Sequence, residues 1–481
     1  MRFVLLLLLA SFVPRVASSS EGSPPGLQSD PALSLASGKL LALWTDSGSG
    51  AASRLYWTRL ESLAPDTVAS PVNPGGAAEV GAAVASAAGW ALAVWESGMP
   101  DGSVVVRAAE VSVDGPPGAV PVTDVTNGEG AIHRPAVAAG ESLAVLVWED
   151  ERSAPGDVYL ARWRRGTGLL DPGGVPFAAG AQDQRWPRVA RGDAGFLVVW
   201  SEASGGAYRV MARRLDAEGI AQGPATAVSS PGASATWPDV AHSGVFLAVW
   251  SEQGDGGASL GGALLDDGGA PFVGWPRIVL DGPGLETAAR ACGADPGFAL
   301  VWIDHSPLGR SLERAWIDPA GGVHPSAGIP LAPKEDYASD AALAAGGGTA
   351  WAAWRVPLAE DEDDLYVTSY AVADTASSPE AVLLTRVGAT GLGVPRAERP
   401  SRLLVEPNPF RGTVRLATEA LRSGRIRILD ALGRLVVEVP PEGRGRWVWN
   451  GNGAGGRPVP PGVYFAFEAE TGASARLVRV P

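Results

Sequence analysis

The stretch FLVVWSE, Phe196 to Glu202, decides the fold, because close relatives of it recur along the chain. LALWTD ends at Asp46, LAVLVWED at Asp150 and LAVWSE at Glu252. Aligned on this phrase, the chain carries Trp44, Trp95, Trp148, Trp200, Trp250, Trp302 and Trp354, at spacings of 51, 53, 52, 50, 52 and 52 residues. A period near fifty built from short strands is that of propeller blades. In FLVVW both strand faces are apolar, with Phe196, Val198 and Trp200 on one and Leu197 and Val199 on the other. A strand of that kind needs cover on both sides, and blades stacked around a ring supply it. The seven indoles are therefore expected to be packing pegs between blades.

Each copy repeats one internal order. Copy four runs WPRVA from Trp186, FLVVW to Trp200, YRVMARRLD from Tyr208 to Asp216, and then GPATAVSS, with Gly, Asp and Ser turns between. Four short strands per copy match a four-stranded antiparallel blade. After GLGVPRAERP the text changes to TVRLAT, GRIRILD, GRLVVEV, GRWVW, GVYFAFEAE and ARLVRV, six strand candidates joined by Gly-rich turns. The expected fold class is all-β: a seven-bladed β-propeller followed by a small C-terminal Ig-like β-sandwich. The expected divisions are a signal peptide at 1–20, the propeller at 28–390, a linker and domain entry at 391–404 and the C-terminal domain at 405–481.

The signal peptide is read from MRFVLLLLLASFVPRVASSS, in which a basic Arg2 precedes an apolar run and then small residues. That run is too short to span a bilayer, and the later apolar stretches read as strands, so no transmembrane segment is expected. A single cysteine, Cys292, cannot form an internal disulfide and reads as a buried small residue. The net charge of −14 is uneven, about +5 from residue 401 onward and about −19 before it. An acidic main body argues against nucleic acid as a partner, since phosphate neutralisation needs a basic surface.

The motifs of common chemistry are missing. His133, His242, His305 and His324 show no zinc-ligand spacing, and neither a G-x-S-x-G elbow nor a P-loop sits in a strand-to-helix setting. No catalytic residue and no metal site is assigned, and no cofactor is expected beyond a weak case for calcium at the acidic run EDEDD, Glu360 to Asp364. Acids follow the landmark tryptophans in six copies: Asp46, Glu96, Glu149 with Asp150, Glu202, Glu252 and Asp304. They are expected to pair across the hairpin with Arg59, Arg107, Arg162, Arg213 and Arg314.

One feature points to a ligand. Where the first strand of copies three, four and five begins, Arg134, Trp186 and Trp237 each precede a proline, and His133 and Arg185 stand beside two of them. First strands line the central channel of a propeller, so these side chains could gather at one mouth, where aromatic faces and arginine forks suit a glycan or a peptide. Packing between blades is the competing role for the same residues.

Two resemblances add to this reading. Copy three, with Trp148, Asp150, Arg152, Asp157, Val158, Tyr159 and Arg162, resembles the repeats of secreted bacterial propellers that read roughly W-x-D-x-R and then D-I-Y-x-x-R. The last eighty or so residues resemble the type IX secretion C-terminal sorting domain, and equally the Ig-like domain of flagellar hook-capping proteins. The matching positions are Pro407, Asn408, Pro409, Phe410, Asp430, Gly433, Arg434, Trp449, Gly451, Gly455, Gly462 and Tyr464. A sorting tail implies export to the outer surface of a Gram-negative-type bacterium, or release from it, with the secretion machinery as a partner. The expected function is a surface or released binding module for a glycan or protein. The alternatives are a glycan-processing enzyme on the same scaffold and a passive structural surface protein.

Overall fold

The computed structural model describes residues 28–383 and 404–480 apart from 47–52, 62–63, 66–68, 73–77, 115–119, 154, 255–256, 282–284, 307–308, 333–337, 360–361, 375–380, 407–409, 418–424, 431–434, 442–445 and 469–473. The expected signal peptide thus lies outside the described residues. Among the described residues all regular elements are strands, and the chain divides into two compact units between Gly393 and Val394.

The first unit is a ring of seven antiparallel sheets of four or five strands, each built from one contiguous segment: 28–71, 79–124, 132–178, 184–227, 234–280, 285–332 and 339–383. These are blades 1 to 7. The first strand of each blade packs against the first strands of both neighbours, and that of blade 7, Ser339–Gly346, packs on that of blade 1, Gln28–Ala36, which closes the circle. All four strands of blade 7 come from its own segment, so among the described residues the ring closes by side-chain packing, with no exchanged strand.

The core follows from the two-faced second strands. In blade 4, Phe196 and Val198 join a buried cluster shared with blade 3, while Leu197 and Val199 join one shared with blade 5. Seven such clusters each unite two adjacent blades around the circle. Every landmark tryptophan is 3% exposed or less and sits in the cluster shared with the preceding blade. Trp200 meets the edge of Phe177 of blade 3 at 5.7 Å, and Trp44 reaches back into the cluster with blade 7.

Each first strand also carries one extra residue against its partner. The register jumps at the same place in all seven, between Ser29 and Ala32 in blade 1 and between Arg185 and Arg188 in blade 4, for example. At each bulge one residue has a left-handed backbone: Asp30, Gly81, Arg134, Trp186, Trp237, Ala288 and Asp340, with φ from +47° to +65°. Such a bulge favours glycine, and only blade 2 uses one. A side chain there costs on the order of 1 kcal/mol, which packing of the ring must offset.

The second unit is a sandwich of a three-stranded sheet (Leu404–Glu406, Val414–Ala417, Arg446–Trp449) and a four-stranded one (Leu435–Val439, Ile426–Asp430, Gly462–Glu468, Ser474–Arg479). Val414, Leu416, Trp447 and Trp449 of the first face Ile426, Ile428, Tyr464 and Leu477 of the second. Phe410 is buried, lies 5.4 Å from the Trp449 ring and bridges to the last strand through its N–H to the Val478 carbonyl at 2.9 Å. Trp449 in turn meets Tyr464 edge-on at 5.4 Å. Gly451 has φ +73°, and a Cβ there would stand 2.9 Å from the Gly412 carbonyl oxygen, so this turn requires glycine. Gly462 opens a strand, whereas Pro407, Asn408, Pro409 and Gly433 lie outside the described residues.

Candidate functional site

The seven bulges lie at one end of the central channel and form its mouth. That they converge on the axis follows from contacts between blades that are not neighbours: the Arg134 Cζ of blade 3 lies 4.9 Å from the Trp237 ring centre of blade 5. Trp186 of blade 4, intermediate in blade order, is stacked on Trp237 with centroids 4.9 Å apart and planes at 27°. Tyr208 backs Trp186 at 5.2 Å. Trp237 keeps 39% of its surface exposed, so part of the stack meets water.

A buried carboxylate holds this half of the mouth. Glu149 accepts the Trp186 backbone N–H at 2.7 Å and Arg134 Nη1 at 3.0 Å, and Arg185 Nη1 stands 3.5 Å away. The bulge leaves the Trp186 N–H outside the strand ladder, and a carboxylate from the preceding blade supplies its acceptor. Glu96 does the same for the Arg134 N–H at 2.7 Å, and Asp30 for the Gly81 N–H at 3.2 Å. Arg185 is taken up by Asp183 and Glu151 besides Glu149, and Asp183 also accepts the Tyr208 hydroxyl at 2.7 Å. His133 Nδ1 lies 3.8 Å from Glu96 Oε2 with its side chain 42% exposed.

The opposite half of the mouth is acidic. Burial pushes the Glu96 carboxyl above its ordinary value and Asp30 adds to the rise, against the Arg134 N–H and the His133 and Arg134 charges. Burial likewise raises Asp340, again with a contribution from Asp30, while Arg355 at 3.2 Å and Arg290 oppose it. A carboxyl raised in the folded state binds its proton more tightly there than in the unfolded chain. Its stabilising share is therefore present below the ordinary value of 3.8 and is lost as pH rises through the raised one. Asp340→Asn is expected to flatten the stability profile on the alkaline side of pH 4, measured as urea midpoints between about pH 4 and 7. The change is small, because 40% of the Asp340 side chain meets water.

Of the five residues singled out in the sequence, Arg134, Trp186 and Trp237 come together in one stack, whereas Arg185 is occupied by three carboxylates and His133 sits beside the acidic half. The sequence reading gives Glu149 only a hairpin partner and does not single out the bulge residues Asp30 and Asp340. The signal was available, because each bulge residue lies thirteen or fourteen positions before its landmark tryptophan.

The expected pairing of acids with arginines across the hairpin does not occur in the contacts formed by Arg107 and Arg162. Arg107 pairs with Asp124 at 2.8 Å and Arg162 with Asp171 at 2.8 Å, both toward the outer edge of the blade. Register explains this: Arg107 stands opposite Trp95 and Arg162 opposite Val145, so neither shares a position with an acid. Two acids instead accept the indole N–H of their own landmark tryptophan, Asp150 from Trp148 at 3.0 Å and Glu252 from Trp250 at 2.8 Å. In the acidic run, residues 362–364 open the strand Glu362–Ala371, while Glu360 and Asp361 lie outside the described residues. Among the described residues no three His, Cys, Asp or Glu side chains are arranged to hold a metal ion. Burial pushes the Cys292 thiol up to about 11, which leaves it a poor nucleophile.

No family model matches the chain, and no curated protein matches it in sequence. Among solved structures, a puromycin-hydrolyzing peptidase of Mycobacterium tuberculosis is similar over 84% of this chain and 61% of its own, with a TM-score of 0.50 and 14% identity. This chain thus spans about three-fifths of that peptidase. An α-L-arabinanase of Penicillium chrysogenum, complexed with arabinobiose, is similar over 74% of this chain and 98% of its own, with a TM-score of 0.45 and 14% identity. A GH43 endo-arabinanase from Bacillus licheniformis is similar over 51% and 95%, with a TM-score of 0.33 and 13% identity. At such identities a likeness concerns fold alone. Strand order and ring closure together make this an all-β chain whose main body is a seven-bladed β-propeller.

Proposed function

We propose that the propeller is a binding module and that its ligand, a glycan, docks on the aromatic half of the channel mouth. The observation that carries this reading is the pair Trp186 and Trp237, two indoles set on left-handed backbone with φ +54°. The ring needs a bulge at these points but not an aromatic side chain, as Gly81 and Ala288 illustrate. A costly local choice that leaves a part-exposed indole beside arginine and carboxylate groups is the usual mark of a site. Sugar rings present an apolar face to an indole and hydroxyls to polar neighbours, which is the combination found here.

The test is a glycan array probed with the full chain, followed by titration of the best ligand. Trp237→Ala is expected to weaken binding about tenfold, roughly 1.4 kcal/mol, and Trp186→Ala by as much or more because it also removes the support of Trp237. Unchanged affinity in both variants would rule out the mouth. The raised carboxyls of Glu96 and Asp340 favour a second reading, a glycan-processing enzyme in which one of them is the proton donor. Shortened glycans in the titration mixture, lost in Asp340→Asn or Glu96→Gln, would decide for it.

The leader pattern at 1–20 and the motif from Pro407 to Tyr464 support export and handling by a type IX machinery, with the C-terminal sandwich as an Ig-like sorting domain. A tagged full chain detected at the outer surface or in the medium, and retained inside after loss of residues 405–481, is the expected result.

A further inference from the structure

Two residues beyond each bulge, and so one level deeper in the channel, the inner strands of blades 1, 2, 3 and 7 carry alanine. Blades 4, 5 and 6 carry Arg188, Asp239 and Arg290 at that level. Asp239 is buried between the two arginines in blade order, and its Oδ2 is already engaged by the Ala291 N–H at 2.9 Å. Its Oδ1 is 3.8 Å from Arg188 Nε, a loose pairing. Arg188 and Arg290 each turn Nη1 to a carbonyl of their own strand, Pro187 and Ala289, at 3.0 Å.

A guanidinium has five N–H donors, and one half-engaged carboxylate cannot satisfy two of them. Burial pushes Arg188 down to about 10, and the Arg290 charge is the next cause. Asp239, Glu149 and Arg134 are the other charges acting on Arg188, and Arg290 in turn acts on Asp340 at the rim. The Arg188 side chain keeps 21% exposure, so solvent reaches it. Two positive groups and one negative group at this level leave one positive charge, two residues along the inner strands from the indole stack.

We propose that this level of the channel takes the carboxylate of an acidic sugar, gripped between the guanidiniums of Arg188 and Arg290. Paired forks of this kind match a planar carboxylate, and charge-assisted bonds are roughly twice as strong as neutral ones. The inference rests on the mouth as a glycan site and narrows the ligand to one bearing a uronate.

The full chain is titrated with glucuronate, glucose and sodium sulfate. Glucuronate is expected to bind, and Arg188→Gln and Arg290→Gln each to weaken it by at least about tenfold. Glucuronate binding no tighter than glucose, sulfate binding in its absence, or an unchanged affinity in folded Arg290→Gln would overturn the proposal. Wild-type chain provides a check independent of the variants: glucuronate is expected to slow phenylglyoxal labelling of Arg188 and Arg290, and labelling at an unchanged rate counts against the site. Sugar binding that is lost in Trp237→Ala but indifferent to both arginines leaves the mouth reading standing and removes this one. Glucuronate protection that survives Trp237→Ala, with no glycan bound on the array, does the reverse.

Discussion

Replacement of Trp148 by alanine is expected to lower stability by about 3–5 kcal/mol, read as a shift of the urea midpoint. The ring is fully buried, and its cluster joins Trp90, Leu92, Val94 and Val106 of blade 2 to Leu146, Tyr159 and Ala161 of blade 3. The indole also bonds Asp150 at 3.0 Å, and Arg152 straddles the same carboxylate at 2.7 and 2.8 Å. Gly174 has no side chain because a Cβ would stand 2.3 Å from the indole, so the neighbouring turn is shaped around it. Truncation therefore opens a cavity that rigid strands cannot close. A loss below about 1 kcal/mol would mean that blades 2 and 3 are held by their backbone arrangement and not by this peg.

Glu149→Ala is expected to do comparable damage by another route. The carboxylate is completely buried, and its removal strands the Trp186 N–H and leaves the Arg134 and Arg185 charges without one partner each. Removing one member of a buried ion pair costs about 3–5 kcal/mol. Glu149→Gln should cost less, since the amide oxygen can still accept the Trp186 N–H. Both variants should weaken ligand binding at the mouth, and the Gln variant is the more informative because it separates charge from folding. Wild-type affinity in a folded Glu149→Gln chain would mean that Arg134 takes no part in recognition.

The blade count and the peg role could be read from sequence because both are carried by local pattern. An apolar strand with two covered faces and a tryptophan every fifty or so residues admits few architectures. The bulges are different. Their left-handed residues are of five kinds, Asp, Gly, Arg, Trp and Ala, and what unites them is a register jump against the next strand, which no single segment reveals. A following proline marks Arg134, Trp186 and Trp237 but also Asp30, which carries no aromatic or arginine side chain to suggest a ligand, while Asp340 and Ala288 precede alanine. Acid pairing was misread for a related reason. Glu96 and Glu149 serve backbone groups in the next blade, 38 and 37 residues away in sequence, and a hairpin argument considers only the strand next door.

Every blade owns its complete set of strands, and the junction of blades 7 and 1 differs from the other six only in lacking a short peptide link. The ring therefore has no privileged starting point. A circular permutant begun at blade 4, with the old ends of the propeller joined, would preserve every sheet and every interblade cluster. Duplication or loss of one whole unit would alter the bore of the channel without rewriting any hydrogen-bonded ladder. Lineages bearing this architecture can in this way vary the width of the opening and the set of side chains around it independently of the scaffold.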